Sequence, residues 1–139
     1  MNIDKIIKEN KLKIKEEIKV IKPIKEHDSN KNIIHYKNSD GEEYWWEYDS
    51  NSNLIHWKDS DGYEYWKEYD SNNNKIHWKD SDGSEYWQEF DSNKNVIHRK
   101  DSDGTEYWQE YDSNNNLIRT LKKISGIYYL NDLEMEKEE

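Results

Sequence analysis

Short bursts of alternating apolar and polar residues run along this chain, and the bursts recur at a fixed interval. Four units of 21 residues follow one another without a gap, opening at Ile34, Ile55, Ile76 and Ile97. The second reads Ile-His-Trp-Lys, then Asp-Ser-Asp-Gly, then Tyr-Glu-Tyr-Trp-Lys-Glu-Tyr, then Asp-Ser-Asn-Asn-Asn-Lys. The two aromatic stretches alternate with period 2, and turn residues bound them, so each predicts a strand. The Gly of Asp-Ser-Asp-Gly can take φ > 0 at no steric cost. The Asn residues of the second turn tolerate the left-handed region better than most. Residues 26–32 repeat the second half of a unit, with Ile24 where other copies have Trp. Ile118-Arg119 opens a fifth unit, which diverges and ends at Ile127-Tyr128-Tyr129-Leu130. The pattern predicts an all-β chain. It is an antiparallel up-and-down meander of tandem 21-residue β-hairpin repeats, with roughly ten strands, twisted or curled.

Alternation also divides the side chains between two faces. A three-residue Gly loop with a bulge puts Ile55 and Trp57 on one face with Tyr65, Lys67 and Tyr69. The opposite face then shows His56, Glu64, Trp66 and Glu68. A four-residue Gly loop would move Trp66 to the Ile face. The first register is favoured, and the odd period then asks for a two-residue turn at Asn72-Asn73. Aromatics fall on both faces. Either the sheet curls and buries its Ile/Tyr face, the favoured outcome, or it is a single layer wet on both sides.

Outside the repeats, Ile3, Ile7, Ile14, Ile18 and Ile21 approach a heptad stripe. They predict a short amphipathic N-terminal helix up to about Lys19. Leu12, Ile14, Ile18 and Val20 also alternate, so a strand from Leu12 is the competing reading. Pro23 marks the boundary. The expected organisation is a basic cap over 1–22, an acidic aromatic repeat domain over 23–130, and an acidic tail over 131–139.

Composition changes this picture only in part. Apolar residues make up 32% and charged residues 37%, which alone would suggest disorder. Seven Trp and eleven Tyr argue otherwise, because every Trp lies between Trp45 and Trp108 at regular spacing. With no Cys, disulfides, thiol nucleophiles and Cys-based zinc sites are excluded. No signal-like or membrane-length apolar run is apparent, so the expected location is cytoplasmic. Net charge is −10, made of +3 over residues 1–33, −12 over 34–117 and −1 over 118–139. The repeat block would repel nucleic acid and favour a basic protein partner.

The run Tyr-Asp-Ser-Asn-x-Asn at 21-residue spacing, with a Gly upstream, resembles the YD repeat of RHS-type bacterial proteins. The likeness covers about residues 26–118. It departs from the family pattern at Asn73, Lys94 and Asn115, where that pattern has Gly. It implies a β-hairpin architecture, and a chain this short could not form the enclosing shells known in the family. Gly126-Ile127-Tyr128-Tyr129-Leu130-Asn131 is similar to part of the aromatic hairpins of bacterial wall-binding and choline-binding modules.

Repetition weighs against catalysis. An active site needs a unique constellation with separated pKa values, and His35, His56, His77 and His98 have equivalent neighbours. Aligned copies lie two strand spacings apart, roughly 9–10 Å, too far to share one zinc. The plainer reading of each His is a cross-strand partner for Glu or Trp. The three Asp-x-Asp-Gly turns, with Asn38 opening a fourth copy, invite a calcium reading, but Gly sits at loop position four rather than six, and an ordinary hairpin turn explains them. No cofactor is expected.

The row Trp45, Trp66, Trp87 and Trp108 is the sharpest candidate surface, either as a packing ladder or as a binding row. With Trp46 and the flanking Glu64, Glu68, Glu85, Glu89, Glu106 and Glu110 it is the expected partner-binding set. The expected function is a non-enzymatic bacterial or phage inhibitor or antidote, of anti-CRISPR or toxin-immunity type, that blocks a nucleic-acid-binding enzyme. Carbohydrate binding through the Trp row and a structural spacer are the alternatives. Homo-oligomers could form through the sheet edges.

Overall fold

The computed structural model describes residues 4–8, 22–131 and 133–134. Residues 4–8 are helical. The rest of the expected helix, and the competing strand from Leu12, lie outside the described residues. Past Pro23 the described residues form twelve strands: β1 (Ile24–His27), β2 (Ile33–Lys37), β3 (Glu43–Tyr48), β4 (Leu54–Asp59), β5 (Glu64–Tyr69), β6 (Lys75–Asp80), β7 (Glu85–Phe90), β8 (Val96–Asp101), β9 (Glu106–Tyr111), β10 (Leu117–Ile124), β11 (Ile127–Leu130) and β12 (Leu133–Glu134). They form one sheet whose spatial order is the chain order, with β1 pairing antiparallel to β2 and so on to β12. The chain is therefore the up-and-down meander its repeats predict. Leu133–Glu134, at the start of the expected tail, pair with β11.

Two kinds of turn join the strands. At the Gly turn, Asp59 N–H donates to the Tyr63 carbonyl at 3.0 Å and Gly62 N–H donates to the Asp59 carbonyl at 3.3 Å. Gly62 has φ 96°. This is a three-residue loop closed by a left-handed glycine, as expected. The Asn turn differs from expectation. Asp70 N–H donates to the Asn74 carbonyl at 3.0 Å and Asn73 N–H to the Asp70 carbonyl at 3.1 Å, so this loop also has three residues rather than two. The odd residue is taken up by a bulge beside it: Tyr69 pairs with Lys75 while Glu68 pairs with His77, which leaves Ile76 as the extra residue.

The left-handed residue of the Asn turn is Lys31, Ser52, Asn73, Lys94 or Asn115, with φ between 61° and 69°. What holds such residues there is the aspartate three positions earlier. Asp70 Oδ1 accepts the N–H groups of Asn72 and Asn74, both at 2.9 Å, and Oδ2 accepts the Asn74 amide at 2.9 Å. The glycine and serine positions therefore give mutations of opposite sign. An added Cβ at Gly62 meets nothing within 4 Å, so Gly62→Ala is expected to cost the backbone strain alone, about 1–2 kcal/mol. Ser52→Gly relieves a similar strain against a larger unfolded-state entropy, for an expected gain of about 0.5–1 kcal/mol. Urea midpoints of the two variants check the signs.

The favoured face assignment holds. Trp57 pairs with Tyr65 and His56 pairs with Trp66 across β4 and β5. One face, here the tyrosine face, carries Ile55, Trp57, Tyr65, Lys67 and Tyr69. The other, the histidine face, carries His56, Glu64, Trp66 and Glu68. Burial of the Ile/Tyr face by curling is not observed: no apolar side chain among the described residues is buried. The molecule is a single layer wet on both sides. Charged and amide side chains at Lys67, Gln88, Arg99 and Gln109 interrupt the tyrosine face, so it lacks the continuous apolar surface a second layer would need. Cohesion comes instead from cross-strand ladders, each pair contributing about 0.2–1 kcal/mol.

Candidate functional site

On the histidine face the first three repeats build the same four-part cluster, and the fourth keeps its ring stack. His and Trp are directly opposed across the Gly hairpin and stack with ring centroids 5.0–5.5 Å apart, in His35–Trp45, His56–Trp66, His77–Trp87 and His98–Trp108. The imidazoles of His35, His56 and His77 also stand between carboxylates. His56 Nδ1 meets Glu47 at 3.1 Å and Nε2 meets Glu64 at 2.9 Å. His77 meets Glu68 at 3.0 Å and Glu85 at 2.8 Å. The histidines are thus partners of both Glu and Trp.

His77 shows what this cradle does to protonation. Partial burial is the largest single influence and pushes its pKa down, but the hydrogen bonds and charges of Glu68 and Glu85 together push it above 6.5. A histidine whose folded pKa is raised contributes stability in full below its unfolded pKa and loses it as pH rises through the folded one. The expected result is that wild type and His77→Gln converge in stability between about pH 5.5 and about pH 8.5, with the wild type ahead only at the acid end. Urea midpoints across that range, with an NMR titration of the His77 ring, check this. The turn aspartates work in the opposite sense. Hydrogen bonds from Asn53 to Asp49 and from Asn74 to Asp70 hold both carboxyls below 3.8, so their contribution is lost as pH falls through the folded values.

The fourth repeat departs from the pattern. Glu106 takes Lys123 at 3.2 Å and Lys100 at 3.6 Å. The Lys123 hydrogen bond lowers its pKa. His98 keeps only Glu89, at 3.3 Å, and its Nε2 is buried without a hydrogen-bond partner. The divergent fifth unit brings a lysine where the other copies have Ser60, Ser81 and Ser102, and it draws the glutamate away.

The expected partner-binding set is only partly brought together. Trp45, Trp66, Trp87 and Trp108 do form one row, with Glu64, Glu68, Glu85, Glu89, Glu106 and Glu110 among them. Trp46 lies on the tyrosine face, where it pairs with Trp57, because neighbours in a strand point opposite ways. The glutamates of the row are largely matched by histidine, lysine or arginine, as in Lys37–Glu43 at 2.8 Å and Arg119–Glu110 at 3.4 Å. Both broad sides of the Trp66 indole are covered, one by His56 at 5.1 Å and the other by Lys79 Nζ at 5.1 Å.

Unmatched negative charge lies elsewhere. Every Gly turn falls at the same end of the strands, and Asp40, Asp61, Asp82 and Asp103 are exposed there. Successive hairpins space them by about 9–10 Å along a line. In the second and third units the first aspartate of Asp-Ser-Asp-Gly is engaged by its own turn, as Asp59 Oδ1 accepts from Asp61 and Tyr63, both at 3.0 Å; in the fourth, Asp101 takes Arg99 and Asp103 Oδ1 accepts from Thr105 N–H at 2.8 Å. Serine fixes the line by tying each turn to the preceding hairpin: Glu64 N–H donates to Ser81 Oγ at 3.1 Å, and Ser81 N–H to the Glu64 carbonyl at 2.9 Å. The sequence signal for this edge was the recurring Asp before each Gly.

The tyrosine face is the more aromatic. Trp57 stacks on Tyr65 at 5.4 Å and touches Tyr44 and Tyr63 at 6.0 Å. Where the fourth unit has Arg99 in place of Trp, the guanidinium lies 4.1 Å over Tyr86 and pairs with Asp101 at 2.7 Å. Open depressions flank Arg99, one lined by Trp78 and Tyr86, the other by Gln88 and Tyr107. Among the described residues no helix is long and apolar enough to cross a membrane. Compared with known proteins, the chain matches no family model and no curated protein.

Proposed function

We propose that the chain is a non-enzymatic, cytoplasmic binding protein whose acidic, aromatic repeat surface engages a basic protein. On this reading it is a bacterial or phage inhibitor or antidote that occupies the nucleic-acid groove of its target. The observation that carries the reading is the line of exposed carboxylates at Asp40, Asp61, Asp82 and Asp103. Each is held at a fixed pitch by the hairpin ladder. Charges set on a line are what a groove shaped for a phosphate backbone accepts, though at lower density than the one charge per about 1.7 Å of duplex. Repetition supports the absence of catalysis, since each Glu–His–Glu cradle has copies. The resemblance to YD repeats is supported by the left-handed residues of the Asn turns, which sit where that pattern has Gly, and it bears on architecture alone.

The test is salt-dependent capture. The chain, immobilised, is expected to retain a basic protein at low salt and release it as salt rises, because association between opposite charges is screened. Asn at positions 40, 61, 82 and 103 together should weaken retention at least tenfold while leaving the circular dichroism spectrum unchanged. Retention of no basic protein at low salt, or equal retention by the fourfold Asn variant, overturns the reading.

A further inference from the structure

The repeat is least regular at its first hairpin junction, and that junction lacks something its counterparts hold. Tyr44, Tyr65, Tyr86 and Tyr107 occupy one position of the repeat. Tyr65 carries Lys67 at 4.6 Å, Tyr86 carries Lys75 at 5.2 Å and Arg99 at 4.1 Å, and Tyr107 carries Lys122 at 5.2 Å. Among the described residues no Lys or Arg lies over Tyr44, Trp46 or Trp57. In their place two indoles lean on Tyr44, Trp46 and Trp57, each at 6.0 Å.

The fourth unit shows what this position takes. Tyr86 pairs with Asp101 and Gln88 with Arg99; correspondingly, Tyr44 pairs with Asp59 and Trp46 with Trp57. A tyrosine and an aspartate like those that hold the Arg99 guanidinium are therefore present at the first junction, where the Trp57 indole stands in place of the guanidinium and Tyr36 stacks on Tyr44 at 6.4 Å from the neighbouring strand. Asp59 Oδ1 caps its own turn, so Oδ2 is the oxygen left to accept from a ligand. Negative potential gathers there: Glu42, the largest influence, followed by burial and then Asp59 and Asp61, pushes the Tyr44 phenol above 10.0.

We propose that Tyr44, Trp46, Trp57 and Asp59 form a recognition site for an arginine side chain of the partner protein, whose guanidinium lies against this ring cluster and pairs with Asp59, the same two kinds of contact that Arg99 makes with Tyr86 and Asp101. This rests on the basic-partner reading above and adds to it a second contact, on the tyrosine face rather than the turn edge. Arginine suits the site better than lysine. Its planar guanidinium stacks on rings and binds carboxylate through a rigid fork, whereas an ammonium is more strongly hydrated.

Binding of a six-residue arginine peptide and a six-residue lysine peptide, followed by calorimetry and Trp fluorescence, tests the site. The arginine peptide is expected to bind about three- to tenfold tighter. Two variants taken from the chain's own repeats should abolish that preference. Trp46→Gln places the residue found at Gln88 and Gln109. Trp57→Arg places the residue found at Arg99, so that the chain's own guanidinium fills the site. Circular dichroism establishes that both are folded. Equal affinities for the two peptides, or a preference that survives in both folded variants, overturns the arginine site. If both peptides bind equally and lose affinity only in the fourfold Asn variant, the acidic edge stands without it. If neither binds at low salt, both proposals fail.

Discussion

Trp57→Ala is expected to lower the stability of the sheet by about 2–3 kcal/mol, and Trp87→Ala by only about 1 kcal/mol. Both are tryptophans of interior strand pairs, so composition gives no reason for a difference. The contacts do. Trp57 meets Tyr44, Tyr63 and Tyr65 within 6.0 Å, and each such pair contributes about 0.5–1.5 kcal/mol beyond the area it covers. Trp87 stacks on His77 alone, at 5.0 Å, and is 41% exposed. Neither site is a closed core, so the loss at Trp57 falls below the about 3–5 kcal/mol of a fully buried tryptophan. Urea unfolding of both variants at the same pH checks the ranking. Equal losses would mean that the tyrosine-face ladder does not hold the sheet together.

How much of this was legible in the sequence depended on which residue carried the signal. Gly62 announces a left-handed position, so the three-residue Gly loop and both faces followed from it. At the Asn turn the left-handed residue is Lys31, Ser52 or Lys94, types that rarely take that conformation. Their strain is held by Asp28, Asp49 and Asp91, which recur every 21 residues but whose hydrogen bonds to the turn are visible only in the structure. The bulge at Ile76 was hidden for a related reason: it adds one residue beside a turn, where alternation has already stopped. Period 2 alone separates Trp46 from Trp45, since neighbours in a strand face opposite ways. The single-layer architecture was harder to read. Trp and Tyr usually signal burial, and only the pairwise geometry shows them half covering one another across strands. The charge was legible in amount but not in place, because matching Glu64 to His56 and leaving Asp61 exposed requires the register.

Excision of whole and partial repeats should separate local from global causes of stability most sharply. Removing residues 76–96 joins Lys75 to Ile97 and deletes one complete unit of 21 residues. Most remaining pairs are then ones the chain already makes, since β5 would meet β8 much as β7 does, through Glu and His on one face; the new pair is Lys67 opposite Arg99 on the other, where Gln88 now stands. The shortened chain is expected to fold, with a modest fall in unfolding midpoint, because a repeat sheet is stabilised by its own units and their nearest neighbours. Removing residues 81–90 instead deletes a single strand and brings β6 against β8. Lys and His would then oppose Lys and His on the histidine face, and His77 and His98 would lose Glu85 and Glu89, their partners at 2.8 Å and 3.3 Å. Like charges directly across a sheet destabilise it, and no ring on β6 finds the tyrosine it stacks on at 5.5 Å in Trp78–Tyr86. This chain, longer than the first, is expected to lose cooperative unfolding altogether. Far-ultraviolet circular dichroism through a urea titration distinguishes the two. A cooperative transition in the half-unit variant would show that backbone pairing alone holds the sheet, whichever side chains face each other.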